Sequence, residues 1–83
     1  MTIHPDVVFR VLEDGAVLVD LASNQVFELN TTGALVWERL AQGGSPEAIV
    51  ETVVARFDVD EDTARRDIAE LLVALTSRGL VTP

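Results

Sequence analysis

The stretch Gln25-Val26-Phe27-Glu28-Leu29-Asn30-Thr31-Thr32-Gly33-Ala34-Leu35-Val36-Trp37 changes its period at Asn30. Before Asn30 the side chains alternate. Val26 and Glu28 fall on one face of a strand, Phe27 and Leu29 on the other. After it, Val36, Trp37, Leu40 and Ala41 fall on one helical stripe. Asn30 suits a helix N-cap, its side chain accepting from the Thr32 or Gly33 amide. The chain therefore divides there: a strand over residues 25–29 closes a β part, and a helix over residues 31–41 opens an α part.

Working toward the N-terminus, Val7-Val8-Phe9-Arg10-Val11-Leu12 is β-branched and aromatic and reads as a first strand. Glu13-Asp14-Gly15 reads as a hairpin turn in which glycine accepts positive φ. Ala16-Val17-Leu18-Val19-Asp20-Leu21 is a second strand, and Ala22-Ser23-Asn24 a second turn. Three strands joined by tight turns make an antiparallel meander with its first or third strand as an open edge. Toward the C-terminus, Gly43-Gly44 ends the first helix. Ser45-Pro46-Glu47 starts a second over residues 46–56, with Ile49, Val50, Val53, Val54 and Phe57 inward. Asp58-Val59-Asp60 is a turn, and Asp60 caps a third helix whose early acids Glu61 and Asp62 suit its positive end. That helix runs to about Arg78, with Ile68, Leu71, Leu72 and Leu75 as its core stripe and Gly79 as its stop. Leu80-Val81 is expected to fold back on the core. The expectation is one α+β domain over residues 1–83: a three-stranded antiparallel sheet followed by three helices, arranged as a winged helix-turn-helix.

Composition narrows the function. Among 83 residues, 14 are acidic and 6 basic, a formal charge of −8. Such a chain repels nucleic-acid phosphate and anionic membrane surfaces. There is no cysteine, and the one histidine, His4, lies near a terminus expected to fray. Cysteine-based zinc sites, thiol nucleophiles and Ser-His catalysis are excluded. The opening Met-Thr-Ile-His-Pro-Asp does not read as a signal peptide, and no segment reads as a transmembrane helix. A cytoplasmic binding module without metal or cofactor is expected, rather than an enzyme.

The acid pairs Glu13/Asp14, Asp58/Asp60 and Glu61/Asp62 read as solvated turns and caps. The run from Asp58 to Asp62 lacks the glycine and late glutamate of a calcium loop. Trp37 reads as core. Arg65-Arg66 would touch phosphate in a DNA-binding regulator, the alternative reading. Glu61, Asp62, Asp67 and Glu70 share that helix, which favours surface ion pairs instead. The third strand is the most informative element. An edge strand exposes N–H and C=O groups that an extended peptide can satisfy.

Asp14-Gly15-Ala16-Val17-Leu18-Val19-Asp20-Leu21, then Val26-Phe27-Glu28-Leu29-Asn30, Gly33-Ala34 and Trp37-Glu38-Arg39-Leu40 resemble the PqqD-like family. So does the ending, with Asp67-Ile68, Leu71-Leu72, Leu75 and Arg78-Gly79-Leu80. The resemblance spans about residues 7–81. It implies a RiPP recognition element, a small winged helix-turn-helix domain that binds leader peptides of ribosomally made, modified natural products. It implies that the leader adds as an antiparallel strand to the third strand and lies in a groove beside the third helix. On this chain the peptide-binding strand is then Gln25, Val26, Phe27, Glu28 and Leu29. The facing helix lies within residues 67–78, with Asp67, Glu70, Leu71 and Ala74 as groove candidates. Members serving pyrroloquinoline quinone synthesis typically carry a Pro-Glu segment before the third strand, where this chain has Asp20-Leu21-Ala22-Ser23-Asn24. A free-standing domain of this kind looks more like the leader-binding partner of a lasso-peptide pathway. It would present the precursor to a separate leader peptidase, with a cyclase acting afterwards.

Overall fold

The computed structural model describes residues 1–82. Along the chain run β1 (Thr2–Ile3), β2 (Val7–Leu12), β3 (Gly15–Asp20), β4 (Gln25–Asn30), α1 (Thr31–Ala41), α2 (Pro46–Phe57), α3 (Glu61–Ser77) and β5 (Val81–Thr82). An antiparallel sheet has the order β2-β3-β4, so β2 and β4 are both edges. The fold is α+β, with this three-stranded sheet and three helices. The strand read over residues 16–21 is β3, shifted back by one residue. The helix expected to end at Arg56 continues to Phe57, and α3 ends at Ser77 with Arg78 as its C-cap.

Each helix starts where a side chain satisfies a free amide. Asn30 accepts from the Gly33 amide at 2.8 Å, Ser45 from Ala48 at 3.2 Å and Asp60 from Thr63 at 2.9 Å. One face of the sheet packs on α1. Leu18 and Trp37 are both fully buried there, and the Phe9 ring meets the Trp37 ring edge-on at 5.7 Å. Ile49, Val50 and Val53 of α2 and Ile68 and Leu75 of α3 close the same core. The other sheet face carries a cross-strand row, Val8 to Val19 to Val26, whose outer members are exposed.

Two expectations about the chain are corrected. The N-terminus does not fray. β1 pairs antiparallel with β5, Ile3 opposite Val81, and the His4 amide donates to the Leu80 carbonyl at 2.9 Å. This pairing rests on the end of α3. Gly79 takes φ +74°, and the Leu80 amide returns to the Leu75 carbonyl while Gly79 bonds back to Thr76. The chain reverses, and Leu80 and Val81 enter the core as expected, 0% and 1% exposed. β1 then covers the strand they form. The second correction concerns Gly15, whose φ is not positive. Glycine stands there because a Cβ would collide with the Leu29 carbonyl of the neighbouring β4.

Candidate binding groove

The sharp turn from β4 into α1, held by the Asn30 cap, leaves a cleft between the end of β4 and the first half of α3. Its volume is about 430 Å³. Leu29, Asn30, Thr32 and Gly33 form one end, Val53 and Phe57 of α2 the floor, and Ala64, Asp67, Ile68 and Leu71 of α3 the far wall. The three-residue link between α2 and α3 sets the width. Asp58 stops α2 in the left-handed region, φ 52°, and Val59 turns back into the cleft. Asp60 then caps α3 through the Thr63 amide and hydroxyl. Those two bonds, the amide first, hold the Asp60 carboxyl below the usual carboxylate range.

A second device fixes α3 against α2. Arg65 donates to Glu47 of α2 at 2.7 Å and to Glu61 of its own helix at 2.8 Å. The hydrogen bond and charge of Arg65 lower the Glu47 pKa. The Arg65 pKa is raised in turn. All three groups are exposed, so the bridge sets orientation more than stability. Arg66 lies 4.0 Å from Asp67. Arg65 is thus held on α3's surface by acids, while Arg66 has an acid only at the outer limit of an ion pair.

Backbone register decides which groups of β4 are free. The Leu21 amide donates to the Asp6 carbonyl at 3.0 Å, whereas the Val7 amide turns back to His4. Odd-numbered positions of β3 therefore face β2, and Ala16, Leu18 and Asp20 face β4. Their partners are Leu29, Phe27 and Gln25. Gln25, Phe27 and Leu29 thus spend their N–H and C=O groups on β3. Val26 and Glu28 turn theirs to the open edge, and Glu28 stands at one lip of the cleft.

Of the residues expected at a peptide site, the cleft brings together Glu28, Leu29, Asp67 and Leu71. Gln25, Val26, Phe27, Glu70 and Ala74 lie outside its lining. Gln25, Val26, Glu70 and Ala74 are exposed, and Phe27 is half-buried. Sequence reading missed the contributions of Thr32, Gly33, Val53, Phe57 and Val59. Val53 and Phe57 sit four apart on the apolar stripe of α2. That spacing was a visible signal, read only as core.

The family model for Coenzyme PQQ synthesis protein D (PqqD) matches residues 15–81. No curated protein matches the sequence. Two solved structures are similar over nearly the whole chain. The structure of TbiB1 in complex with the TbiA(beta) leader peptide is 35% identical with a TM-score of 0.91, covering 96% of this chain and 93% of that one. The structure of lasso peptide synthetase B1 complexed with the leader peptide is 32% identical with a TM-score of 0.87, covering 98% and 95%.

Proposed function

The chain belongs to the PqqD family, and we propose that residues 1–83 form one domain that binds the leader segment of a ribosomally made precursor peptide. The observation that carries this reading is the open edge of β4 beside an apolar cleft. Val26 and Glu28 offer two N–H and two C=O groups to an incoming strand. Each backbone bond contributes about 1 kcal/mol net. Burial of leader side chains against Leu29, Ile68 and Leu71 adds roughly 25 cal/mol per Å². The leader would run antiparallel to β4, with its N-terminal part at the Asn30 end. The two leader-bound neighbours support the same occupant.

The arrangement is read as a winged helix-turn-helix turned to peptide rather than DNA. α3 carries Glu61, Asp62, Asp67 and Glu70 where a recognition helix would meet phosphate. Among the described residues no helix is long and apolar enough to cross a membrane. A soluble, cytoplasmic partner of a separate leader peptidase, in a pathway of the lasso type with a cyclase acting later, fits the two neighbours. The domain itself would do no chemistry and need no metal or cofactor. It would act by position, raising the effective concentration of the cleavage site at the peptidase.

Proline substitution tests the mode of binding. Peptides selected on the immobilised protein from displayed random dodecamers would be labelled and titrated by fluorescence anisotropy. Glu28→Pro removes an outward N–H. The variant is expected to stay folded by circular dichroism and to lose most binding. Phe27→Pro removes an amide bonded to β3 and is expected to unfold. A folded Glu28→Pro protein with undiminished affinity would remove β-strand addition from the account.

A further inference from the structure

The stripe of α3 that lines the cleft at Asp67 and Leu71 continues beyond it to Ala74 and the C-cap Arg78, charged at both ends and apolar between. Asp67, Leu71, Ala74 and Arg78 follow at spacings of four, three and four, which is one stripe of a helix. Asp67 and Leu71 line the cleft beside Leu29 and Asn30. Farther along, the Arg78 guanidinium lies over the Phe27 ring, 5.0 Å from its centroid. α3 therefore runs antiparallel to β4, its acidic end beside the end of the strand and its cationic end beside the middle. Both charges are available to a ligand. Among the described residues Arg78 enters no ion pair, and Asp67 meets only Arg66, at 4.0 Å, with both side chains more than half exposed. Glu28 adds a second carboxylate at the acidic end of the cleft.

Resting on the leader-binding reading, we propose that this groove recognises a charge order. Its occupant is an extended segment with a basic side chain on the N-terminal side of its apolar anchors and an acidic side chain on the C-terminal side. The spacing follows from geometry. Asp67 lies beside Leu29 and Asn30 and the Arg78 guanidinium over Phe27, two to three strand residues apart, about 7–10 Å at about 3.4 Å per residue. Strand side chains alternate between faces, so two that both point at α3 and meet these charges stand two or four apart, and at four the residue between them lies over Leu71. A strand antiparallel to β4 runs parallel to α3, which brings its N-terminal half to Asp67 and its C-terminal half to Arg78. The same segment docked in the parallel direction would set base against Arg78 and acid against Asp67. Backbone bonds form in either direction. The two charges are what penalises the wrong one, and they fix register as well.

The test is a paired selection. Displayed random dodecamers would be selected on the wild-type protein and on a Asp67→Lys/Arg78→Glu double variant, whose changed side chains are exposed and whose fold is checked by circular dichroism. The wild type is expected to enrich sequences with Arg or Lys two or four positions before Asp or Glu, among apolar residues. The double variant is expected to enrich the reverse order. A cycle on one selected peptide, titrated by anisotropy, then isolates the contact. Arg78→Gln should weaken it about two- to fivefold, the range of exposed ion pairs, and should leave unchanged a peptide whose acid is already replaced by its amide. Alternating apolar peptides with no charge order, or the same order on both proteins, would overturn the charge reading while leaving strand addition standing. Recovery of no extended apolar segment from the wild type would overturn both.

Discussion

At Gly15 the space for a side chain is taken by the carbonyl of Leu29, a residue fourteen positions later. Alanine there has to push β3 and β4 apart, and overpacking of this kind costs about 1–3 kcal/mol. Gly15→Ala is expected to lower the urea midpoint accordingly, and a midpoint within error of wild type would show that β4 gives way freely. The sequence signal at this position, Asp-Gly, suggested a left-handed turn instead. That was the wrong reason for the right residue, because the colliding group belongs to another strand. The caps Asn30, Ser45 and Asp60 were legible, since each acts on an amide three residues away. Asp60 also carries a pH signature. Its native pKa is lowered by the Thr63 amide and hydroxyl, so its charged form stabilises the fold above the ordinary carboxylate range. That contribution is lost as pH falls through the lowered native value. The melting temperature of wild type is therefore expected to exceed that of Asp60→Asn at neutral pH, and the difference to shrink on acidification. Paired thermal melts check this, and a pH-independent difference would contradict it.

Among the elements, the alternating strands and the three helical stripes were readable from period alone, and their bounds moved by a residue or so. The β1–β5 pair was not readable. Two residues on each side give no period, and their partners lie 78 to 80 positions apart. What locates them is burial of Leu80 and Val81 after the Gly79 reversal. Leu80→Ala, at a fully buried site, is expected to cost about 2–5 kcal/mol. For a domain this small that is most of its stability, so chemical denaturation should show a protein largely unfolded in dilute urea. A loss below about 1 kcal/mol would mean that the C-terminal turn is peripheral to the core.

Across the molecule, one edge strand, the end of one helix and the flank of another meet at a single cleft. The candidate site was half legible for that reason. β4 is legible by its alternation, and Asp67 and Leu71, two of the four helix candidates, line the cleft. The parity of β4's hydrogen bonds was beyond the sequence, because it depends on register against β3, which Leu21 and Asp6 fix from the other side of the sheet. The cleft floor was missed because Val53 and Phe57 serve core and groove at once. The net charge of −8 sets the field in which a partner arrives, while the apolar cleft and the free backbone groups of two residues are what the proposed strand addition would use. Those backbone groups can be watched without any substitution. Amide hydrogen exchange, read residue by residue by NMR, should show Phe27 and Leu29 protected in the free protein, with Val26 and Glu28 exchanging fast. Saturation with a selected peptide should slow Val26 and Glu28 by at least tenfold and leave the others little changed. Fast exchange at both residues in the saturated complex would contradict strand addition at β4.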